Sequence, residues 1–150
     1  MKNISQDLYN KILENMPIVC VDGVAQNERG EILLLKRMKE PEMNKWWFPG
    51  GRILKGEKSL ESIKRKFKEE INVNILVNDL IGITETIFET GPNDIPTHTL
   101  NLTYSVEILN IDDFYLDSDH SEFLWTKNFE ELNLNTEIKS FLEKKYKKKI

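Results

Sequence analysis

Apolar and β-branched residues form runs that predict strands, separated by turns and by stretches with helical spacing. The predicted strands cover 18–25, 32–35, 75–88, 99–109 and 123–125. The first two flank an Asn-Glu-Arg-Gly turn at 27–30, so we expect them to pair as a hairpin. A Gly-Pro-Asn-Asp loop at 91–94 joins the third strand to the fourth. A Trp-Trp-Phe run at 46–48 ends in a Pro-Gly-Gly break.

Three further stretches place apolar residues at the three- and four-residue spacing of an amphipathic helix. The first follows the cap Ser5, ends at Pro17, and has the stripe Leu8, Ile12 and Leu13. The second covers Ser59–Glu70 with Ser59 as its N-cap, and its apolar face is Leu60, Ile63, Phe67 and Ile71. The last carries Ile138, Phe141, Leu142 and Tyr146 on its buried side. Strands mixed with helices predict an α/β or α+β sandwich.

The composition is that of an ordinary folded protein, and it narrows the range of functions. The 150 residues are 39% hydrophobic and 31% charged, which fits a single domain over 1–150 with its own core. Lys and Arg total 21 against 25 Asp and Glu, and this net charge of −4 argues against a nucleic-acid partner. The single cysteine, Cys20, excludes an internal disulfide framework, and two histidines exclude a three-histidine metal site within one chain.

Hydropathy along the chain indicates neither a membrane span nor a secretory signal. No apolar run approaches the ~18–20 residues of a membrane-spanning helix. The first residues, MKNISQDLYNK, mix charges early and lack an apolar core. We therefore expect a cytoplasmic protein with no membrane partner.

The stretch richest in candidate chemistry is a glycine-containing loop at 50–56 that leads into an acidic helix ending in Glu69 and Glu70. Mg²⁺ prefers oxygen ligands and often binds through one or two carboxylates together with substrate phosphates. Arg65 and Lys66 lie four residues before Glu69 and Glu70, so the same charges also fit a solvated, ion-paired helix face. The charge pattern alone leaves both interpretations open.

The spacing of charged and apolar residues over 51–73 is more specific. Gly51, Glu57, Arg65, Phe67, Glu69, Glu70 and Val73 fit the pattern G-x5-E-x7-R-E-U-x-E-E-x-G-U, where U is a bulky apolar residue. The stretch therefore resembles the Nudix box, with its spacing kept throughout. This resemblance implies an α/β/α sandwich with a mixed β-sheet and flanking helices. It also implies that the box carboxylates bind a divalent cation, which would be Mg²⁺ or, alternatively, Mn²⁺.

Two positions depart from the box. Lys66 replaces a Glu that commonly helps to bind metal in the family, so the resemblance implies fewer metal ions or a different chemistry here. Asn72 replaces the final Gly. This second change is mild, because Asn is the next best residue for a left-handed helix end.

Segments outside the box resemble one branch of the family, the GDP-mannose mannosyl hydrolases. The matching segments are 17–22, 27–31, 34–37, 47–52, 97–98 and 117–120, with Trp125 beyond them. Most Nudix enzymes cleave a P–O bond of a nucleoside diphosphate derivative. This branch instead attacks the anomeric carbon and releases GDP and the free sugar. The resemblance thus implies hydrolysis of a GDP-sugar, with GDP-mannose as the first choice, by a homodimer.

The same resemblance implies a role for each matching position. The implied metal ligands are Glu70, the backbone of Gly50, and Asp119 where the branch has a Gln, with Glu69 as a further box carboxylate. Arg37 and Arg52 would bind the diphosphate and stabilise the GDP leaving group. His120 would act as the general base that takes a proton from the attacking water. Asp22 would contact the sugar.

Two other functions stay open at this point. A Nudix pyrophosphatase would cut the P–O bond of a nucleotide sugar or nucleoside triphosphate, with Glu69 and Glu70 in a multi-metal site. The second alternative is a module that binds a nucleotide without catalysis. Lys66 is the residue that favours this alternative, because it replaces a Glu that commonly helps to bind metal in the family. Taken singly, Arg37 also fits a surface residue and His120 an exposed loop residue.

Overall fold

The computed structural model describes residues 3–146, which form three helices and seven strands. The helices are α1 (Gln6–Asn15), α2 (Ser59–Ile71) and α3 (Thr136–Tyr146). The strands are β1 (Ile18–Ala25), β2 (Ile32–Arg37), β3 (Trp46–Trp47), β4 (Gly50–Arg52), β5 (Ile75–Phe88), β6 (Thr97–Ile108) and β7 (His120–Thr126). Single 3-10 turns cover Pro92–Asp94 and Ile111–Asp113.

The strands form two sheets. A four-stranded mixed sheet has the order β4–β1–β6–β5, in which β1 runs parallel to β6 and antiparallel to β4. A three-stranded antiparallel sheet has the order β3–β2–β7. The Gly-rich β4 and the first residue of β7 both adjoin helix α2 through contacts described below.

Helices cover both sides of the sheets. Side chains alternate between the two faces of each strand, so one strand can contribute to a buried cluster on each side. In β2, Leu33 and Leu35 join one buried cluster, and Ile32 and Leu34 join the other. Helix α2 supplies Ile63, Phe67 and Ile71 to the first cluster, and α3 supplies Ile138 and Leu142 to the second. The predicted α/β/α sandwich with a mixed sheet is confirmed. None of the helices described is long and apolar enough to cross a membrane.

The predicted hairpin of the first two strands is wrong. Strands β1 and β2 both form, but they belong to different sheets, and an isolated bridge between Gln26 and Ile32 links the segments at their turn. A strand has two edges, and those of β1 are taken by β4 and by the eight-residue pairing with β6. These distant partners outweigh the local turn signal.

Two strands begin earlier than predicted. Strand β6 begins at Thr97 and β7 at His120, so residues expected in loops lie at strand starts. Helix α2 begins at the predicted residue, but Lys58 is its N-cap, and the Ser59 hydroxyl lies 2.7 Å from the Tyr104 hydroxyl. Leu60 was predicted on the apolar face of this helix but is 48% exposed, and it lies in the first turn. The later members of that face, Ile63, Phe67 and Ile71, are buried.

Helix α2 ends as its sequence predicts. Asn72 has φ 57° and ψ 36°, the left-handed conformation that terminates a helix, and its N–H donates to the carbonyl of Lys68 at 3.1 Å. Asn in place of the box Gly therefore preserves the local geometry.

A buried ion pair ties α2 to the loop that precedes it. The Arg65 guanidinium donates to both Glu57 carboxylate oxygens, at 2.7 and 3.0 Å, and to the backbone carbonyl of Arg52 at 3.0 Å. The Glu57 side chain is almost fully buried and also accepts from the Leu54 N–H. Hydrogen bonds from Arg65 hold the pKa of Glu57 at about 2, well below its usual range. The arginine therefore fixes the path of the 52–57 loop.

Replacing Arg65 with Met should lower the free energy of unfolding by ~2–4 kcal/mol near neutral pH, because Glu57 would be left as an unpaired buried charge. The Glu57 pKa is depressed in the folded state, so its contribution is complete above its ordinary value of 4.5 and is lost as the pH falls towards about 2. Urea unfolding across this range should show the penalty shrinking with acidification.

The matched control is Arg29→Met, since Arg29 pairs with Glu31 at 3.2 Å but is 82% exposed in its side chain. Surface pairs of this kind contribute ~0–1 kcal/mol. A penalty for Arg65→Met as small as that for Arg29→Met, or one independent of pH, would contradict the assignment.

Candidate active site

The centre of the site is Glu70, in the last turn of α2 and 4% exposed. One carboxylate oxygen accepts from the Gly50 N–H at 2.9 Å, and the other lies 3.3 Å from His120 Nε2. Burial raises the pKa of Glu70 to about 8, against the opposing effect of the Lys66 ammonium at 3.9 Å. Glu70 therefore joins α2 to β4 and β7 through one carboxylate.

Gly50 is required where it lies because β4 approaches β1 closely. A Cβ at this position would come within 2.1 Å of the Val21 carbonyl oxygen and 2.5 Å of an Asp22 carboxylate oxygen. Without that side chain, the backbone of Gly50 can pair with Asp22 and present its N–H to Glu70. The family resemblance implied that the backbone of Gly50 binds the metal. In the structure, the Gly50 N–H instead donates a hydrogen bond to Glu70.

His120 is held between two carboxylates. Its Nδ1 lies 2.7 Å from Asp117, and its Nε2 faces Glu70 at 3.3 Å. The ring is 8% exposed, and burial lowers the pKa of His120 in spite of the raising effect of Asp117. A neutral ring with its proton on Nδ1, shared with Asp117, leaves Nε2 as the hydrogen-bond acceptor that faces Glu70.

The loop before His120 is anchored on the end of helix α2. The N–H of Asp117 donates to the Glu70 carbonyl at 2.8 Å, and the N–H of Tyr115 donates to the Ile71 carbonyl at 3.0 Å. Carbonyls at a helix C-terminus lack intrahelical partners, so the loop satisfies them. These two bonds set the distance between the Asp117–His120 pair and Glu70.

Glu70, Asp117 and His120 form a donor set that fits a divalent cation. One ligand atom from each lies within 4.8 Å of the other two. Carboxylate oxygens, of which this group offers two, suit Mg²⁺ and Mn²⁺. The donor chemistry, two buried or half-buried carboxylates around one imidazole, is therefore compatible with the cation that the resemblance implies.

The other two predicted metal ligands lie apart from this group. Asp119 is half-exposed, and its carboxylate pairs with Lys39 at 2.7 Å, which lowers the pKa of Asp119. Glu69 is also half-exposed and accepts hydrogen bonds from Arg65 at 3.0 Å and Lys66 at 3.2 Å. In this structure, Asp117 occupies the place beside Glu70 where the sequence had suggested Asp119.

A cavity of about 170 Å³ adjoins the carboxylate group. Glu70, Asp117 and His120 are not among its lining residues, but two of their neighbours are. Gly50 lines the cavity and contacts Glu70, and Arg37 lines it and is the strand partner of His120. Arg52 also lines the cavity, with its guanidinium 4.2 Å from the centre of the Tyr9 ring. The Arg37 Nε donates to the Pro41 carbonyl at 2.7 Å, which holds the guanidinium at the cavity wall.

Asp22 is the buried acid of the cavity, only 2% exposed. Its two oxygens accept from Trp47 Nε1 at 3.3 Å and from Asn101 Nδ2 at 2.7 Å. Burial raises the pKa of Asp22 to about 7, against the lowering effect of these hydrogen bonds. The structure thus brings Asp22, Arg37 and Arg52 together around one cavity.

Two site residues were missed in the sequence, Asp117 and Asn101. Asp117 lies three residues before His120, in the segment already matched to the family branch, and only the fold shows that its carboxylate contacts the ring. Asn101 lies in the strand predicted over 99–109, where polar and apolar residues alternate. The structure buries Asn101 against Asp22.

Comparison with known proteins agrees with this fold. The NUDIX domain family model matches residues 16–144. The chain is 31% identical over 121 residues to the low-salt glycan biosynthesis protein Agl8 of Haloferax volcanii, covering 79% of this chain and 76% of that protein. It is 28% identical over 104 residues to the ADP-ribose pyrophosphatase of Methanocaldococcus jannaschii, covering 69% of this chain and 59% of that protein.

Among solved structures, the MutT protein of Methanosarcina mazei Go1 has a TM-score of 0.74 at 23% identity, covering 87% of this chain and 94% of that one. The MutT NUDIX hydrolase of Burkholderia pseudomallei has a TM-score of 0.73 at 21% identity, covering 86% and 98%. Likeness at these identities shows the fold. Together with the match over 16–144, it establishes that this chain belongs to the NUDIX family of hydrolases.

Replacing Asp22 with Asn should change the pH dependence of stability. The folded-state pKa of Asp22, about 7, lies above its ordinary value of 3.8, so the folded protein holds this proton more tightly than the unfolded chain. The wild type should therefore lose stability relative to Asp22→Asn as the pH rises between these two values, by ~4 kcal/mol in all. Chemical denaturation of both proteins at several pH values measures the difference. A constant difference would place the Asp22 pKa near its ordinary value.

Proposed function

We propose that this protein hydrolyses a GDP-sugar, with GDP-mannose as the first substrate to test, to GDP and the free sugar. Water attacks the anomeric carbon, and His120 is the general base. The observation that carries this proposal is the buried His120 ring, fixed at Nδ1 by Asp117 with Nε2 directed towards Glu70, whose other carboxylate oxygen accepts from Gly50 in the cavity wall. The glycan-related name of the Agl8 relative also favours a sugar-containing substrate.

The histidine environment suits proton abstraction near neutral pH. Asp117 accepts a hydrogen bond from the Nδ1–H and holds the ring in one tautomer, so that Nε2 is the basic atom. Burial lowers the pKa of His120, which keeps the ring neutral and able to take a proton from water. Because the water would displace the leaving group directly, we expect inversion at the anomeric carbon.

The carboxylates Glu70 and Asp117 are the groups proposed to hold a divalent cation beside this base. When bound, such a cation would neutralise charge on the diphosphate. Arg37 and Arg52 line the cavity and would contact the phosphate oxygens, which suits a guanidinium fork. They would stabilise negative charge as GDP leaves.

Lys66 favours one cation over several. Its ammonium lies 3.2 Å from Glu69 and 3.9 Å from Glu70, where the Nudix box has a further carboxylate. Glu69 is already paired with Arg65 and Lys66. A fixed positive charge at this place opposes the accumulation of several Mg²⁺ ions, and it therefore weakens the case for multi-metal pyrophosphatase chemistry.

The alternative is a Nudix pyrophosphatase that cleaves the P–O bond of a nucleotide sugar or nucleoside triphosphate. The relative named ADP-ribose pyrophosphatase and the adjacent pair Glu69-Glu70 favour this alternative. A nucleotide-binding module without turnover is the third candidate. The homodimer and the cytoplasmic location stay predictions.

Incubation with GDP-mannose and Mg²⁺ in ¹⁸O-labelled water distinguishes the reactions. Attack at carbon should give mannose and GDP that carries no ¹⁸O, as measured by mass spectrometry of the nucleotide. Label in GDP would mean attack at phosphorus, and GMP with mannose 1-phosphate would identify a pyrophosphatase. The nucleotide is the better reporter, because the anomeric hydroxyl of free mannose exchanges with water.

Replacing His120 with Gln should lower kcat by ~10²–10⁴, as expected for a lost general base. The affinity for Mn²⁺, measured by electron paramagnetic resonance, should change little if Glu70 and Asp117 are the ligands. The control is His98→Gln, because His98 is the other histidine and its ring pairs with Glu85 on the surface. A large loss of Mn²⁺ affinity would make His120 a metal ligand instead, and an unchanged kcat would remove it from the reaction.

A further inference from the structure

Strand β6 provides one wall of the cavity with polar side chains. Thr97, Thr99 and Asn101 alternate along the strand and line the cavity, and each is less than 10% exposed. A polar side chain loses its hydration when it is buried, and this costs free energy unless hydrogen bonds replace the lost contacts with water. The hydrogen-bond partners of these three residues therefore show what the wall can bind.

Asn101 has one end of its amide committed and the other unpaired. Its Nδ2 donates to an Asp22 oxygen at 2.7 Å, which fixes the orientation of the amide. Its Oδ1 has no hydrogen-bond partner within residues 3–146. The structure thus offers a buried, oriented acceptor in the wall of the cavity.

Thr99 has a second unpaired group two residues earlier on the same face. Its Oγ1 is buried and lacks a hydrogen-bond partner among the residues described. Thr97 differs, since its hydroxyl donates to the Ile95 carbonyl at 3.0 Å. The available groups are therefore one acceptor, on Asn101, and one hydroxyl that can donate or accept, on Thr99.

We propose that Asn101 Oδ1 and Thr99 Oγ1 bind hydroxyl groups of the sugar and determine which sugar the protein accepts. Asn101 would also hold Asp22 in place for the same ring. The proposal rests on the proposed function in one respect, that the ligand is a nucleotide sugar.

The surroundings favour a sugar over a nucleobase in this part of the cavity. Recognition of bases in open sites commonly uses stacking on aromatic faces. Trp47 and Phe88 line the cavity but are each only 6% exposed, and they pack against each other with ring centres 6.0 Å apart. Their faces are largely used within the core. The half-buried aromatic of the cavity is Tyr9, and the Arg52 guanidinium lies over its ring, 4.2 Å from the ring centre. The polar wall on β6, in the same cavity as the cationic Arg37 and Arg52, is open to the ligand.

The test compares Thr99→Val with Thr103→Val. Both hydroxyls are buried and unpaired on β6, but Thr103 does not line the cavity, so the pair separates ligand binding from loss of a buried hydroxyl. Calorimetric titrations use GDP-mannose and GDP with Ca²⁺ present, in a His120→Gln background to slow turnover. Thr99→Val should weaken GDP-mannose binding about 5- to 20-fold and leave GDP binding unchanged. Thr103→Val should leave both unchanged.

Three results would overturn the proposal. Equal weakening for GDP and GDP-mannose would assign the wall to the nucleotide. No weakening would mean that the wall holds only water. Binding of GDP-mannose no tighter than GDP, before any change to Thr99, would mean that the cavity has no sugar subsite.

A second variant and a product assay complete the test. Asn101→Leu should weaken GDP-mannose binding and also change the ratio of affinities for GDP-mannose and GDP-glucose, whereas a purely structural role would weaken both equally. Failure of the proposed reaction is detected separately. If the products are GMP and mannose 1-phosphate while Thr99→Val still weakens sugar binding selectively, the reaction is wrong and the subsite stands.

Discussion

The rest of the site depends on the burial of a single carboxylate, that of Glu70. It contacts the Gly50 N–H on β4 and His120 on β7, while its own helix packs on a buried cluster to which both sheets contribute. A buried acid is costly unless hydrogen bonds or a cation compensate for its lost hydration. The fold supplies part of this compensation through the Gly50 N–H and the Lys66 ammonium, although burial still raises the pKa of Glu70 to about 8.

Sequence spacing predicted the helix and its charge pairs well, because these interactions are local. Arg65 meets Glu69 four residues later, and Asn72 ends the helix in the expected conformation. The choice of strand partners was not predictable in the same way. β1 pairs with β6 some eighty residues away, and a pairing at this separation cannot be predicted from the residues of the local turn. The false hairpin between β1 and β2 has this origin.

The structure brings together several residues that the sequence singled out, but the sequence did not predict their contacts. Asp22, Arg37 and Arg52 do line one cavity, and His120 does face Glu70. However, the alternating polar side of β6 was not identified as part of the site, and the fold buries it as one wall of the cavity. An alternating pattern states that a strand has two unlike faces, and it does not state which face is buried.

The anchoring of residues 115–117 on the end of helix α2 has a consequence for how this protein can vary. Because the Tyr115 and Asp117 amides bond to successive helix carbonyls, the connection from β6 to β7 has a fixed length at its last few residues. An inserted residue there would rotate Asp117 away and shift His120 out of register with Glu70. Evolutionary changes in loop length, and sites chosen for tags or fusions, would therefore be tolerated elsewhere on the surface and excluded from this short segment.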